Sequence, residues 1–320
     1  MTPGLALALP GLAAAGCGTL QPAPEFTEVG GDAPYVLVLG TAQDAGSPQA
    51  NSPADHPARL DPLRRRLASC LGIVDPRSGG RWMVDATPDF REQFWALNQA
   101  APRRTRLGLD GVFLTHAHIG HYAGLVFLGH ESIGAHGVLV FAMPRMAEFL
   151  RTNGPWDQLV RLGNIELRGL RAGQPVALAD DIAVTPFLVP HRQEYSEVVG
   201  FRIDGPTRAV LYIPDIDSWS LWDDSGVRLE DQLATVDVAY LDGTFFADGE
   251  IVGRDMSGFP HPRIVQTMER INSTAPDQAA KVRFIHLNHT NPAQWTDSPE
   301  RQRVLDAGFA VAVGGERVGL

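Results

Sequence analysis

Gly111-Val112-Phe113-Leu114-Thr115-His116-Ala117-His118-Ile119-Gly120-His121 is the stretch on which the reading of the fold turns. Val112, Phe113 and Leu114 form an apolar run that reads as a buried strand. The chain then delivers three histidines within six residues, ahead of a helix-like segment over 122–131. Neutral imidazole is the commonest protein ligand for zinc and suits other first-row metals. Histidines two apart on an extended turn can both face one ion, and a third, three residues on, can reach a second ion beside it. His116, His118 and His121 are therefore metal-ligand candidates. One histidine at a strand end would more simply be a capping or core residue; three in this register are not.

Outward from this stretch, the same pattern of an apolar run ending in a polar residue recurs. Residues 35–40 read as a first strand, followed by a turn-rich loop over 41–49 that carries Gln43 and Asp44. Segments 69–74 and 81–84 read as strands around a hairpin turn at 75–80, and Asp85 follows directly. Thr87 and Pro88 fit the cap and first position of a helix over 89–99. A strand over 138–141 and a helix over 143–151 come next. The second half opens with short strands at 165–167 and 176–178. The strand at 182–189 ends in Pro190-His191. Strands 200–203 and 209–213, joined at Asp204-Gly205, end in Pro214-Asp215. The run at 236–246 carries Asp242, a helix covers 263–271, and the run from 282 ends at His286, with His289 just beyond. His130 and His136 stand apart from these ends and read as non-ligands.

Thr115-His116-Ala117-His118-Ile119-Gly120-His121 resembles the H-x-H-x-D-H signature of the metallo-β-lactamase superfamily, with Gly120 where the family carries aspartate. Asp85-Ala86-Thr87-Pro88-Asp89-Phe90-Arg91, Asp242-Gly243-Thr244-Phe245, His261-Pro262 and His286-Leu287-Asn288-His289-Thr290-Asn291-Pro292 are similar to segments of the branch that holds phosphodiesterases and the B protein of pyrroloquinoline quinone biosynthesis. The resemblance runs over nearly all of residues 35–310. It implies an α/β fold, a four-layer αββα sandwich of two mixed sheets with helices outside and the site along one edge.

The resemblance also implies a ligand set. His116, His118 and His191 would hold a first metal. His121, His286 and a bridging Asp215 would hold a second, with Asp217 the rival to Asp215. The implied cofactor is zinc, as one or two ions, with iron or manganese as other choices. Asp85 would orient a ligand histidine, and Asp242 and His261 would stand behind the ligands or against substrate. His289 or Asp44 would protonate the leaving group; His289 could instead substitute as a ligand. The activity implied first is hydrolysis of a small ester, lactone or phosphodiester. An iron-dependent oxygenase of the quinone-biosynthesis type is the alternative, and a metal-binding protein without catalysis is the third. Gly120 implies a tight first metal and a weaker second one, unless Asp44 replaces the missing carboxylate; on that reasoning Gly120→Asp should raise the metal content.

Composition bounds the rest. The 320 residues are 44% hydrophobic and 20% charged, ordinary for a chain that buries a core. A net charge of −10 argues against a nucleic-acid partner and leaves a small-molecule substrate. Cys17 and Cys70, the two cysteines, are too few for a disulfide framework. Residues 5–15 are almost all Leu, Ala, Gly and Pro, and Ala14-Ala15-Gly16-Cys17 resembles a bacterial lipoprotein signal. The expected organisation is a signal peptide over 1–17, a tether over 18–34 and one domain over 35–320. Cys17 would then be lipidated and would tether the protein to a membrane in the periplasm. The absence of Lys and Arg from residues 1–4, and Ala14 where leucine is more usual, keep a cytoplasmic location as the alternative.

Overall fold

Along β1 (Tyr35–Gly40) every residue is buried, and successive side chains face opposite ways. Leu37 and Leu39 join one core cluster, whereas Val36 and Val38 join another. A strand with two dry faces needs cover on both, and this requirement builds the layers. The computed structural model describes residues 31–103 and 108–320. The expected signal peptide, Cys17 and residues 18–30 of the tether lie outside the described residues.

The strands that follow are β2 (Cys70–Asp75), β3 (Gly80–Val84), β4 (Gly111–Phe113), β5 (Val138–Ala142), β6 (Ile165–Gly169) and β7 (Val176–Ala179). Then come β8 (Ile182–Leu188), β9 (Val199–Asp204), β10 (Ala209–Ile213), β11 (Val238–Asp242), β12 (Val282–Ile285), β13 (Ala310–Val311) and β14 (Arg317–Gly319). They form two seven-stranded sheets, ordered β14-β1-β2-β3-β4-β5-β6 and β13-β12-β11-β10-β9-β8-β7. Both are mixed: β1, β2 and β3 pair antiparallel and β3 to β6 parallel, while β8, β9 and β10 pair antiparallel and β10 to β13 parallel.

The sheets face each other across one core. Phe113 of β4 stacks on Phe141 of β5 at 4.3 Å and meets Phe201 of β9 edge-on at 5.7 Å, which joins the two sheets at the base of the histidine stretch. Val112 and Leu114 face the opposite side, under the helix Phe90–Ala100. The helix Ile264–Thr274 covers the second sheet through Ile264, Met268 and Ile271. The result is the expected αββα sandwich.

Two local expectations change. The helix expected over 122–131 is a four-residue helix, Ile119–Tyr122, followed by a 3-10 stretch, Ala123–Leu128. Gly124 explains the break. Its N–H donates to Ala86 O at 2.8 Å instead of up the helix, and a Cβ there would lie 2.1 Å from Thr87 O. The next helix starts at Phe90 with Asp89 as its N-cap residue, and Thr87 sits at the entry to it, its hydroxyl accepting from Asp89 N at 3.0 Å and donating to Gln93 Oε1 at 2.8 Å. A short helix, Trp156–Arg161, had no sequence signal.

Removing the ring that joins the sheets has a calculable cost. Phe113→Ala should destabilise by about 3–5 kcal/mol, the range for a fully buried phenylalanine. Urea unfolding would measure it, and a loss under about 1 kcal/mol would contradict this placement of the core.

Candidate metal centre

Strand after strand ends in one place. β4 runs out into Thr115-His116-Ala117-His118, and His118 is the N-cap residue of Ile119–Tyr122, the short helix that carries His121. Beyond β8 lies His191, beyond β10 Asp215, and directly after β12 His286. β1 adds Asp44 from its following loop. That loop is fixed beside β12, with Leu287 N donating to Thr41 O at 2.9 Å and Gln43 N to Leu287 O at 2.8 Å.

Among the described residues these strand ends form two donor sets, and Asp215 also groups with Asp242 and His261. In the first, His116 Nε2 and His191 Nε2 lie 2.9 and 3.1 Å from His118 Nδ1. In the second, Asp215 Oδ2 lies 2.9 Å from His121 Nε2 and 3.3 Å from His286 Nε2, while Asp44 Oδ1 lies 3.3 and 3.4 Å from the same two nitrogens. Within each set the donor atoms lie within 4.8 Å of one another. Asp215 also faces the first set, 3.6 Å from His116 Nε2 and 3.7 Å from His191 Nε2. Asp215 thus stands between the two imidazole groups and would be available to both if ions were held there.

The remaining nitrogen of each imidazole is committed elsewhere, which fixes which atom faces inward. Thr115 donates its hydroxyl to Asp85 and so accepts from His116 Nδ1 at 3.0 Å. Thr244 donates to Asp242 and accepts from His286 Nδ1, again at 3.0 Å. His121 Nδ1 donates to Asp85 Oδ2 at 2.7 Å, and His191 Nδ1 to Asp217 Oδ1 at 2.8 Å. His118 Nε2 donates to Glu194 Oε2 at 3.1 Å. Asp217 therefore pairs with the outer nitrogen of His191 while Asp215 faces the donors, and Asp85 pairs with the outer nitrogen of His121. Glu194 and the two threonines were not anticipated; the threonines at least stand next to sequence motifs, whereas Glu194 sits in an exposed loop.

A metal fits this donor set. His121 Nε2, His286 Nε2 and Asp215 Oδ2 are buried atoms with no hydrogen-bond partner, close together but out of hydrogen-bond alignment. Such groups are costly unless something satisfies them. Burial holds His116 and His191 below the ordinary imidazole range, the neutral state a ligand needs. Around His121 burial opposes charge, but Asp85, Asp215 and Asp44 outweigh it and raise its pKa well above normal. Three carboxylates crowding one imidazole are a surplus of negative charge that a divalent cation would neutralise. Backbone strain marks the same place: Asp85, His261 and His286 have φ of 70°, 78° and 64°, a region non-glycine residues rarely occupy.

The beta-lactamase superfamily domain model matches residues 81–287, which span the histidine stretch, His191, Asp215 and His286. The chain belongs to this superfamily. It is 28% identical over 312 residues to coenzyme PQQ synthesis protein B of Xanthomonas campestris pv. campestris, covering 89% of this chain and 99% of the relative. The Zn(2+)-bound PqqB of Methylobacterium extorquens superposes with a TM-score of 0.71 at 23% identity, over 89% of this chain and 100% of that one. A diphosphatase of the PhnP family follows with a TM-score of 0.62 at 21% identity, over 90% and 97%. At those identities the two structures speak for the shared fold alone.

Two further histidines lie near the beta-lactamase-fold centre, His261 where the resemblance implied and His289 away from the donors. His261 comes in beside it: its Nδ1 donates to Asp242 Oδ2 at 2.7 Å and lies 3.5 Å from Asp215 Oδ1. His289 does not join the donor sets; its Nδ1 pairs with Ser52 Oγ at 2.9 Å and its ring lies 5.8 Å from that of His56. Next to His289, Thr290 donates to Glu250, which also accepts from Phe246 N. Burial pushes the Glu250 carboxyl up to about 7, despite these two hydrogen bonds.

Asp85→Asn should weaken zinc binding by about 10–100-fold, the usual effect of removing a carboxylate that orients a ligand histidine; competition with a chromogenic chelator would read it, and unchanged affinity would reduce Asp85 to a scaffold residue. For Glu250, the folded chain keeps a proton that the unfolded chain releases between the ordinary pKa of 4.5 and about 7. Its contribution therefore makes stability fall as pH rises through that window. Glu250→Gln should flatten that slope in denaturation experiments at pH 5 and pH 8, and an unaltered slope would refute the assignment.

Proposed function

We propose that this chain is a zinc-dependent hydrolase of a small ester, lactone or phosphodiester. The observation that carries the reading is the convergence of two donor sets on one shared carboxylate, Asp215. Zinc held there would supply Lewis acidity that brings the pKa of water from about 15.7 toward about 7.

The chain's own residues then have separable tasks. Asp85, Asp217, Glu194 and the two threonines hold five imidazoles in one tautomer each. His261 can provide the proton for the leaving group, in place of His289 and Asp44. Burial opposes its charge, but Asp242 outweighs this and, with Asp215 and Asp44 adding, pushes its pKa up to about 9. His261 also borders a cavity of about 480 Å³ with Asp217, Ser218, Phe259 and Arg263, room for a small molecule. The iron-dependent oxygenase implied by the resemblance to the quinone-biosynthesis branch is the second reading, since five histidines and two carboxylates suit iron as well as zinc.

A panel of aryl and alkyl phosphodiesters, esters and lactones, assayed with zinc-loaded protein, tests this directly. His116→Ala should abolish turnover. His261→Gln should lower kcat by about 10²–10⁴-fold on alkyl leaving groups, which need a proton, and far less on nitrophenolate. No turnover across the panel, together with substrate-dependent oxygen uptake by the iron-loaded protein, would reject hydrolysis in favour of the second reading.

A further inference from the structure

We infer that Asp44 supplies the carboxylate that the histidine motif lacks, completing the second metal site from a different strand. This rests on the metal-dependent reading above and names a ligand for it. The superfamily's signature places aspartate directly before its last histidine; here that position is Gly120.

Geometry accounts for the exchange. A Cβ built on Gly120 would lie 2.4 Å from Asp44 Cα, 2.5 Å from Asp44 Oδ1 and 2.6 Å from Asp44 Cβ. The volume that a side chain at 120 would use is thus filled by Asp44. Its Oδ1 reaches 3.3 Å from His121 Nε2 and 3.4 Å from His286 Nε2, the two nitrogens that Asp215 Oδ2 also approaches and that have no hydrogen-bond partner. Asp44 does not swing in on demand. Ser69 N donates to Ala42 O at 2.7 Å, and Thr41 and Gln43 are bonded to Leu287, next to the ligand His286. Glycine at 120 and aspartate at 44 are two halves of one substitution: neither works without the other.

The second site then contains two imidazoles and two carboxylates, and the first three imidazoles and a share of Asp215. A weak second site, expected from Gly120 alone, gives way to a full one. The expected effect of Gly120→Asp reverses as well, because the new side chain would displace the backbone of residue 44. The carboxylate-richer second site should also favour a harder ion, such as manganese, more than the first site does.

The test is zinc stoichiometry and affinity, independent of turnover. Chelated protein is titrated calorimetrically with zinc, and metal content is measured after gel filtration; circular dichroism confirms the fold of each variant. The wild type should hold two equivalents. Asp44→Asn, nearly isosteric, should hold one, with the second binding step weakened by on the order of 10–100-fold or more. Gly120→Ala should independently lose the second equivalent by pushing Asp44 away. An Asp44→Asn protein that keeps two equivalents at unchanged affinity, or a wild type that holds only one, overturns the inference and leaves the metal-dependent reading intact. A wild type that holds no metal overturns both.

Discussion

A buried imidazole can offer a lone pair through one nitrogen only if the other has an acceptor for its proton. Five histidines crowd the end of this sandwich, and each has such an acceptor: Thr115, Glu194, Asp85, Asp217 and Thr244. Without them the rings could rotate or exchange tautomers, and the inward atoms would not be defined. The strands bring the histidines together, but these five outward bonds decide which atoms meet. Asp85 and Asp242, both fully buried, anchor the two ends of the arrangement, each accepting from a threonine and from a histidine. The two halves of the chain thus solve the same problem the same way, an aspartate at a strand end acting through a threonine hydroxyl on a ligand ring.

The sandwich explains why the site lies where it does. The parallel strands β3, β4 and β5 of one sheet and β10, β11 and β12 of the other end on a common edge. Their last residues leave the hydrogen-bond ladder and are free to turn toward one another. The aromatic contact of Phe113 with Phe141 and Phe201 lies directly beneath, so the ligand-bearing ends rest on a packed core.

Much of this was legible in the sequence, for a physical reason. A fully buried strand must be apolar, so a histidine or aspartate just beyond such a run is conspicuous: this is how His116, His118, His191, Asp215 and His286 stand out. Adjacent candidates were harder. Asp215 and Asp217 differ only in which way an irregular segment turns, and that segment is set by the bond from Ile216 N to Asp242. Glu194 could not be found, because it meets His118 across a loop that carries no periodic signal. The helix expected over 122–131 failed at Gly124, whose tight approach to Thr87 is a tertiary constraint. Asp44 was visible as a polar residue after β1, but its place depends on the pairing of Ala42 with Leu287, far away in the chain.

The left-handed backbone at Asp85, His261 and His286 carries a consequence of its own. Each such residue costs on the order of 1–3 kcal/mol against a glycine in the same conformation. Aspartate and histidine tolerate this conformation better than most non-glycine residues, and here each commits its side chain to a partner: Asp85 to Thr115 and His121, His261 to Asp242, His286 to Thr244. Glycine at Asp85 would relieve the backbone but strand the buried Thr115 N–H and His121 Nδ1 that it accepts from. The left-handed backbone at these three points is thus held by the same polar contacts that set the rings, so chain path and ring orientation are fixed together.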